Sequence, residues 1–208
     1  MYEKCGKRCL DLLFALVALP FFVLLLLVVG PLIKLEDGGP VFYVAKRIGK
    51  DGRSFSMFKF RSMKVGAPLW LNADGSTYNA EDDPRVTRIG RFLRETSLDE
   101  VPQLLNVIKG DMSIVGPRPS LASALDTYRE DEVDKLKVRP GITGYVQAFY
   151  RNEMPNREKR LLDAWYANNV SFALDLRIML QTVRTVIFRK GLYTNTSRFT
   201  NRGDRVVR

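Results

Sequence analysis

Asp99 and Glu100 form an adjacent carboxylate pair in the stretch from Thr96 to Gly110. Ser97 and Glu100 fit the capping box S-x-x-E, which predicts a helix starting near Ser97 with both acids in its first turn. A helix start carries partial positive charge and free backbone N–H groups, so it favours carboxylates and phosphates. Leu104, Leu105, Val107 and Ile108 predict a buried face, and Gly110 a C-terminal stop. Pro102 removes one helical hydrogen bond, so the helix either starts later or bends there. Beyond a short apolar run, Met112 to Val115, prolines flank Arg118 in Gly116-Pro117-Arg118-Pro119 and restrict its backbone. A stiff arginine near paired carboxylates suits anion recognition. Spacing alone leaves two readings open: a site for phosphorylated ligands, or an acidic helix cap with Arg118 pairing one of its acids.

These groups need elements to hold them. Residues 12–29 are uncharged and apolar, long enough to cross or nearly cross a bilayer at roughly 1.5 Å per residue. No small-x-small cleavage site follows, which argues against a secretory signal. Lys4, Lys7 and Arg8 precede the run and Lys34 follows it, compatible with both ends on the cytoplasmic side. Pro20 predicts a kink or break, and a kinked spanning helix and a re-entrant one both fit. Gly38-Gly39-Pro40 ends this element. Val41 to Ile48 and Phe55 to Phe60 read as a hairpin turned at Asp51-Gly52, with Lys59 and Arg61 at its end. Residues 64–82 read as a loop. Arg85, Arg88, Arg91 and Arg94 recur every third position, a slowly rotating helical stripe facing solvent or headgroups, with Arg94 nearest the carboxylates.

Residues 120–137 predict a polar helix with a solvated acidic face of Asp126, Glu130, Asp131, Glu132 and Asp134. A basic, aromatic segment follows, Arg157 to Tyr166. Phe172, Leu176, Met179, Leu180, Val183 and Ile187 then share one helical face, with Arg177, Arg184, Arg189 and Lys190 off it. That face either packs into the core or lies on anionic lipid. Residues 192–208 read as a poorly ordered tail.

Composition narrows the chemistry. The chain has 208 residues, enough for one ordinary domain and a small appendage. A formal charge of +10 attracts nucleic acid, anionic lipid or phosphorylated ligands. Histidine is absent, so no histidine serves as base, nucleophile or ligand. A metal would rest on oxygen, which favours magnesium or manganese over zinc. Cys5 and Cys9, four apart, share a helical face and suggest neither a disulfide framework nor a zinc site, which fits a reduced, cytosol-facing location.

Six motifs run in order through most of the chain: Lys59-Phe60-Arg61-Ser62-Met63, Asp83-Pro84-Arg85, the run from Ser97 to Leu104, Lys109-Gly110-Asp111-Met112-Ser113, Gly116-Pro117-Arg118-Pro119 and Arg139-Pro140-Gly141-Ile142-Thr143-Gly144. Together they resemble the signature of the bacterial monotopic phosphoglycosyl transferases, which prime polyprenol-linked glycans. Leu19 stands where that family commonly has serine before the proline, and Tyr145 where it more often has leucine. The resemblance implies an α+β, mainly helical fold. Its parts would be a re-entrant membrane helix over 1–36, a catalytic domain with a small hairpin sheet and interfacial amphipathic helices over 37–191, and a tail over 192–208. It implies Asp99 as nucleophile and Glu100 as holder of Mg2+. Lys59 and Arg61 become second-line phosphate or lipid contacts, and Arg94, Arg118 and Arg151 phosphate or nucleotide contacts. Asp163, twelve residues after Arg151, becomes a metal- or substrate-positioning residue. The implied donor is a UDP-sugar, the acceptor polyprenyl (undecaprenyl) phosphate, and the products polyprenyl-diphosphate-sugar and UMP. The implied place is the cytoplasmic face of the bacterial plasma membrane, in contact with anionic lipid and without nucleic acid. The competing readings are a membrane-anchored basic binding protein for anionic lipid or nucleic acid, and a membrane phosphatase with an aspartyl intermediate.

Overall fold

A single long helix organises the molecule. The computed structural model describes residues 2–72, 77–151 and 154–188. A π-helical turn, Tyr2–Gly6, leads into α1, Lys7–Asp37, whose 31 residues span about 46 Å. The helix continues through Pro20 and Pro31 and ends at Gly38, which takes φ 70° and returns its N–H to Lys34. Ala15, Phe22, Val29 and Ile33 form its buried stripe, while Val17, Leu24, Leu27 and Leu35 stay exposed. A helix apolar on every side, with one face packed on protein, leaves the other for lipid. α1 is long and apolar enough to cross a membrane.

Both ends of α1 are fastened to the rest of the chain. Near the start, Arg8 donates to the carbonyls of Val107 and Ile108 at 2.6 and 3.2 Å. Asp11, buried, accepts from Ser113 Oγ and the Ile114 N–H, each at 2.9 Å. Lys7 meets Asp175 at 2.6 Å. Near the end, Glu36 accepts from the N–H groups of Arg88 and Ile89 at 2.6 and 3.2 Å, and Asp37 pairs with Arg61.

Strands β1 (Phe42–Ile48) and β2 (Ser54–Phe60) form the expected antiparallel hairpin, with Tyr43 opposite Lys59 and Arg47 opposite Phe55. Asp51 and Gly52 turn it with φ values of 56° and 74°, the left-handed pair a tight hairpin favours. Phe60 stacks on Phe42 and packs against Phe22 of α1. α2 (Arg88–Glu95) starts at Thr87, whose side chain accepts the Gly90 N–H at 3.0 Å. Any Cβ on Gly90 would lie 2.0 Å from the Ser62 carbonyl, so only glycine permits this approach. Three of the four periodic arginines lie in α2. Arg85 precedes it, buried against Asp83 at 2.6 Å and stacked 4.2 Å over the Trp70 ring.

The capping-box expectation at Ser97 is corrected. Ser97 adopts a left-handed backbone, φ 59°, and makes no side-chain cap. Leu98–Glu100 is one 3-10 turn, and α3 (Gln103–Lys109) starts only after Pro102. Proline suits that boundary because it has no N–H to lose. Gly110 ends α3 with φ 97°, as expected.

β3 (Ser113–Val115) and β4 (Gly141–Thr143) pair in parallel. Between them the predicted polar helix is absent. Two short 3-10 turns, Ala122–Thr127 and Val133–Lys137, replace it, with extended backbone at Tyr128 between them. Their acids are not uniformly solvated: buried Glu132 meets Arg160 at 3.1 Å. Tertiary ion pairs decide this segment's shape over helical propensity. α4 (Tyr145–Phe149), α5 (Asn156–Asn168) and α6 (Phe172–Ile187) complete the fold. Tyr166, Ala148, Ala167, Ile178 and Val115 make their shared core. Ile178, Asp175 and Thr185 bury the inner side of α6, whereas Phe172, Leu176, Leu180, Val183 and Ile187 are exposed. Core packing therefore does not account for that apolar face; of it, only Met179 packs against the core. Arg189, Lys190 and the 192–208 tail lie outside the described residues.

Candidate active site

Four structural devices bring the charged groups together. The left-handed turn at Ser97 folds Leu98–Glu100 back beside β2. Fully buried Asn106 of α3 fixes β2 in place, accepting the Phe58 N–H at 2.9 Å and donating to the Ser56 carbonyl at 2.7 Å. β2 then delivers Lys59, whose Nζ lies 2.5 Å from Glu100 Oε1 and 3.9 Å from Asp99 Oδ2. Close packing of Gly116 on Gly141, where a Cβ would meet the Gly116 nitrogen at 2.1 Å, sets the loop that carries Arg118. Arg118 Nη1 reaches Glu100 Oε1 at 3.6 Å. Arg151, at φ 46° just beyond α4, donates to Ser97 Oγ at 3.4 Å.

The two carboxylates differ in state. Burial pushes the Asp99 carboxyl up to about 6, with Lys59 and Arg94 opposing the rise and Glu100 adding to it. Burial acts on Glu100 in the same direction, but Lys59 and Arg118 outweigh it and hold that carboxyl down at about 2. Adjacent acids with pKa values pushed apart are suited to separate roles. Glu100 is an anion held by cations, and Asp99 is the less compensated carboxyl of the two.

The bacterial sugar transferase family model matches residues 2–189. The chain belongs to that family. It is 40% identical over 202 residues to the uncharacterized sugar transferase EpsL of Bacillus subtilis strain 168, covering 95% of this chain and 97% of that one. It is 38% identical over 202 residues to the UDP-galactose-lipid carrier transferase of Erwinia amylovora, covering 90% of this chain and 41% of the relative. It is 38% identical over 169 residues to the undecaprenyl-phosphate galactose phosphotransferase of Salmonella typhimurium, covering 76% of this chain and 36% of the relative. The chain thus spans less than half of the latter two proteins.

Within this sugar transferase, Lys59, Arg94, Arg118 and Arg151 all surround Asp99 and Glu100. Asp163 stands apart and does not pair with Arg151. It is buried behind the Arg118 loop, 2.9 Å from Lys135, which also donates to the Arg118 carbonyl at 3.2 Å. Burial raises the Asp163 pKa, while Lys135 and the Arg118 backbone N–H favour its charged form. The buried pair acts on the site by holding Arg118 from behind. Lys135 and Asn106 escape a reading of the sequence, because a buried lysine looks like a surface charge and a helical asparagine like a weak helix former.

No group of three or more potential metal ligands converges among the described residues. A magnesium ion fits a sparser arrangement, one or two carboxylates completed by waters and substrate phosphates. Lys59 and Arg118 both meet Glu100 at Oε1, which leaves Oε2 available to such an ion.

Proposed function

We propose that this transferase moves a sugar 1-phosphate from a UDP-sugar to polyprenyl phosphate, releasing UMP, as an early membrane step of glycoconjugate synthesis. The observation that carries the reading is the Asp99–Glu100 pair ringed by Lys59, Arg94, Arg118 and Arg151. The names of the Erwinia and Salmonella relatives support donor and acceptor class.

An Asp99 oxygen attacks the phosphorus that bears the sugar, and the bond to the UMP oxygen breaks. The sugar phosphate then sits on Asp99 as an acyl phosphate. A lipid-phosphate oxygen attacks the same phosphorus, forms the diphosphate and returns Asp99 as a carboxylate. The two anionic substrates thus need not meet directly, and the basic ring offsets the charge on each in turn. Glu100 would hold Mg2+, which supplies charge neutralisation at the phosphates.

In the proposed division, residues 1–36 form a re-entrant membrane element and 37–191 a catalytic domain on the cytoplasmic face. Fastening of both α1 ends to one domain supports that topology over a simple span. The exposed stripe of α6, flanked by Arg177 and Arg184, suits anionic lipid at the interface. The lipid phosphate then reaches Asp99 without leaving the bilayer surface. The test is UMP release from a panel of UDP-sugars with undecaprenyl phosphate and magnesium. Wild type should release UMP dependent on lipid, and Asp99→Asn should release none. Near-normal turnover by Asp99→Asn would remove the nucleophile assignment.

A further inference from the structure

The sugar transferase motifs leave one half-buried arginine without a task. Arg47 sits near the end of β1, half-buried, and its Nε is enclosed with no hydrogen-bond partner among the described residues. An enclosed donor without an acceptor is costly, so a missing anionic partner is the natural explanation.

Its position says which anion. Strand alternation places Tyr43, Ala45 and Arg47 on the same hairpin face as Lys59, Met57 and Phe55. Lys59 on that face already contacts Glu100. At the other end, Arg47 forms a β-bridge with Leu121, and the Ile48 N–H donates to the Ser120 carbonyl at 3.0 Å. Both contacts hold Arg47 against the segment that carries Arg118. Burial and the charge of Arg118 make its own charge harder to hold, and only Glu100 and Tyr43 offset them. Like charges held close are stabilised when an anion lies between them.

We propose that Arg47, with Arg118, binds the phosphate of the UDP-sugar that departs with the nucleotide. Lipid phosphate is the less suitable partner. β1 leaves the membrane element at Phe42, which stacks on Phe60 above Phe22 of α1. Arg47 lies five residues onward, about 16 Å further along the strand. The lipid phosphate is tethered on the α1 side, whereas a nucleotide arrives from water. With Arg47 included, five cationic side chains face two carboxylates, an excess that suits a diphosphate.

The inference rests on the phosphoglycosyl transfer reading above, and one experiment separates the two. UMP binding is titrated to full-length wild type, Arg47→Gln and Arg47→Lys in lipid nanodiscs, beside steady-state turnover with varied undecaprenyl phosphate. Arg47→Gln should weaken UMP about 10- to 100-fold. Arg47→Lys keeps the charge but loses the fork, and should weaken it about threefold to tenfold. The KM for undecaprenyl phosphate should not rise above the wild-type value in Arg47→Lys. Equal UMP affinity in wild type and Arg47→Lys overturns the assignment to Arg47 and leaves the reaction standing. A raised lipid KM with unchanged UMP affinity assigns Arg47 to the lipid and overturns it too. Wild type that turns over no UDP-sugar removes the transfer reading and this inference with it.

Discussion

Lys59 shows how one side chain sets the state of another. In the proposed mechanism Asp99 attacks only as a carboxylate, and its pKa is raised to about 6, so UMP release should fall as pH drops through that value. Lys59 opposes the rise, so Lys59→Met should move the acidic limb to higher pH, by about one unit or more. A pH–rate profile of the two proteins checks this; an unmoved limb would separate Lys59 from the titration of Asp99. The acid pair and Arg118 stand out in the sequence by residue type and local restriction, whereas Lys59 and Arg151 are picked out only by the family resemblance. The left-handed Ser97 is not legible in the sequence. The same Ser-x-x-Glu spelling fits a capping box, but Glu100 is committed to Lys59 and cannot reach back to cap. Asp163, expected as a metal- or substrate-positioning residue, lies behind Arg118 against Lys135.

At the scale of elements, α3 matters less for its ends than for Asn106. This side chain satisfies two backbone groups of β2 and so keeps Lys59 at the carboxylates. Asn106→Ala leaves both groups unpaired and should cost about 2 to 4 kcal/mol of stability. It should also raise the mobility of Lys59 and lower turnover, checked by unfolding in detergent beside UMP release. The β1–β2 hairpin is legible because alternation and an Asp-Gly turn are local signals. Residues 120–137 are not, because their polar pattern fits a helix while Glu132 and Lys135 find partners on α5. The apolar side of α6 is legible as a face, but only the fold reveals that it points outward.

The molecule as a whole is a domain built along its own membrane helix. Cys5 and Cys9 are free, exposed and the only cysteines of the chain. They make topology measurable without substitution. A membrane-impermeant maleimide should leave intact cells unlabelled and label inverted vesicles; labelling from outside would contradict the re-entrant reading. The apolar run of α1 is plain in the sequence, but its latches are not, since each joins residues far apart along the chain. Lys7 and Asp11 are synthesised long before Asp175 and Ser113, their partners 168 and 102 positions later. The ribosome therefore delivers an anchor whose charged start has nothing to grip. The latch from Lys7 waits for α6, the last of the described helices to be made. A nascent chain halted before Asp175 would already hold the partners of Arg8, Asp11, Glu36 and Asp37 and would lack only the latch from Lys7.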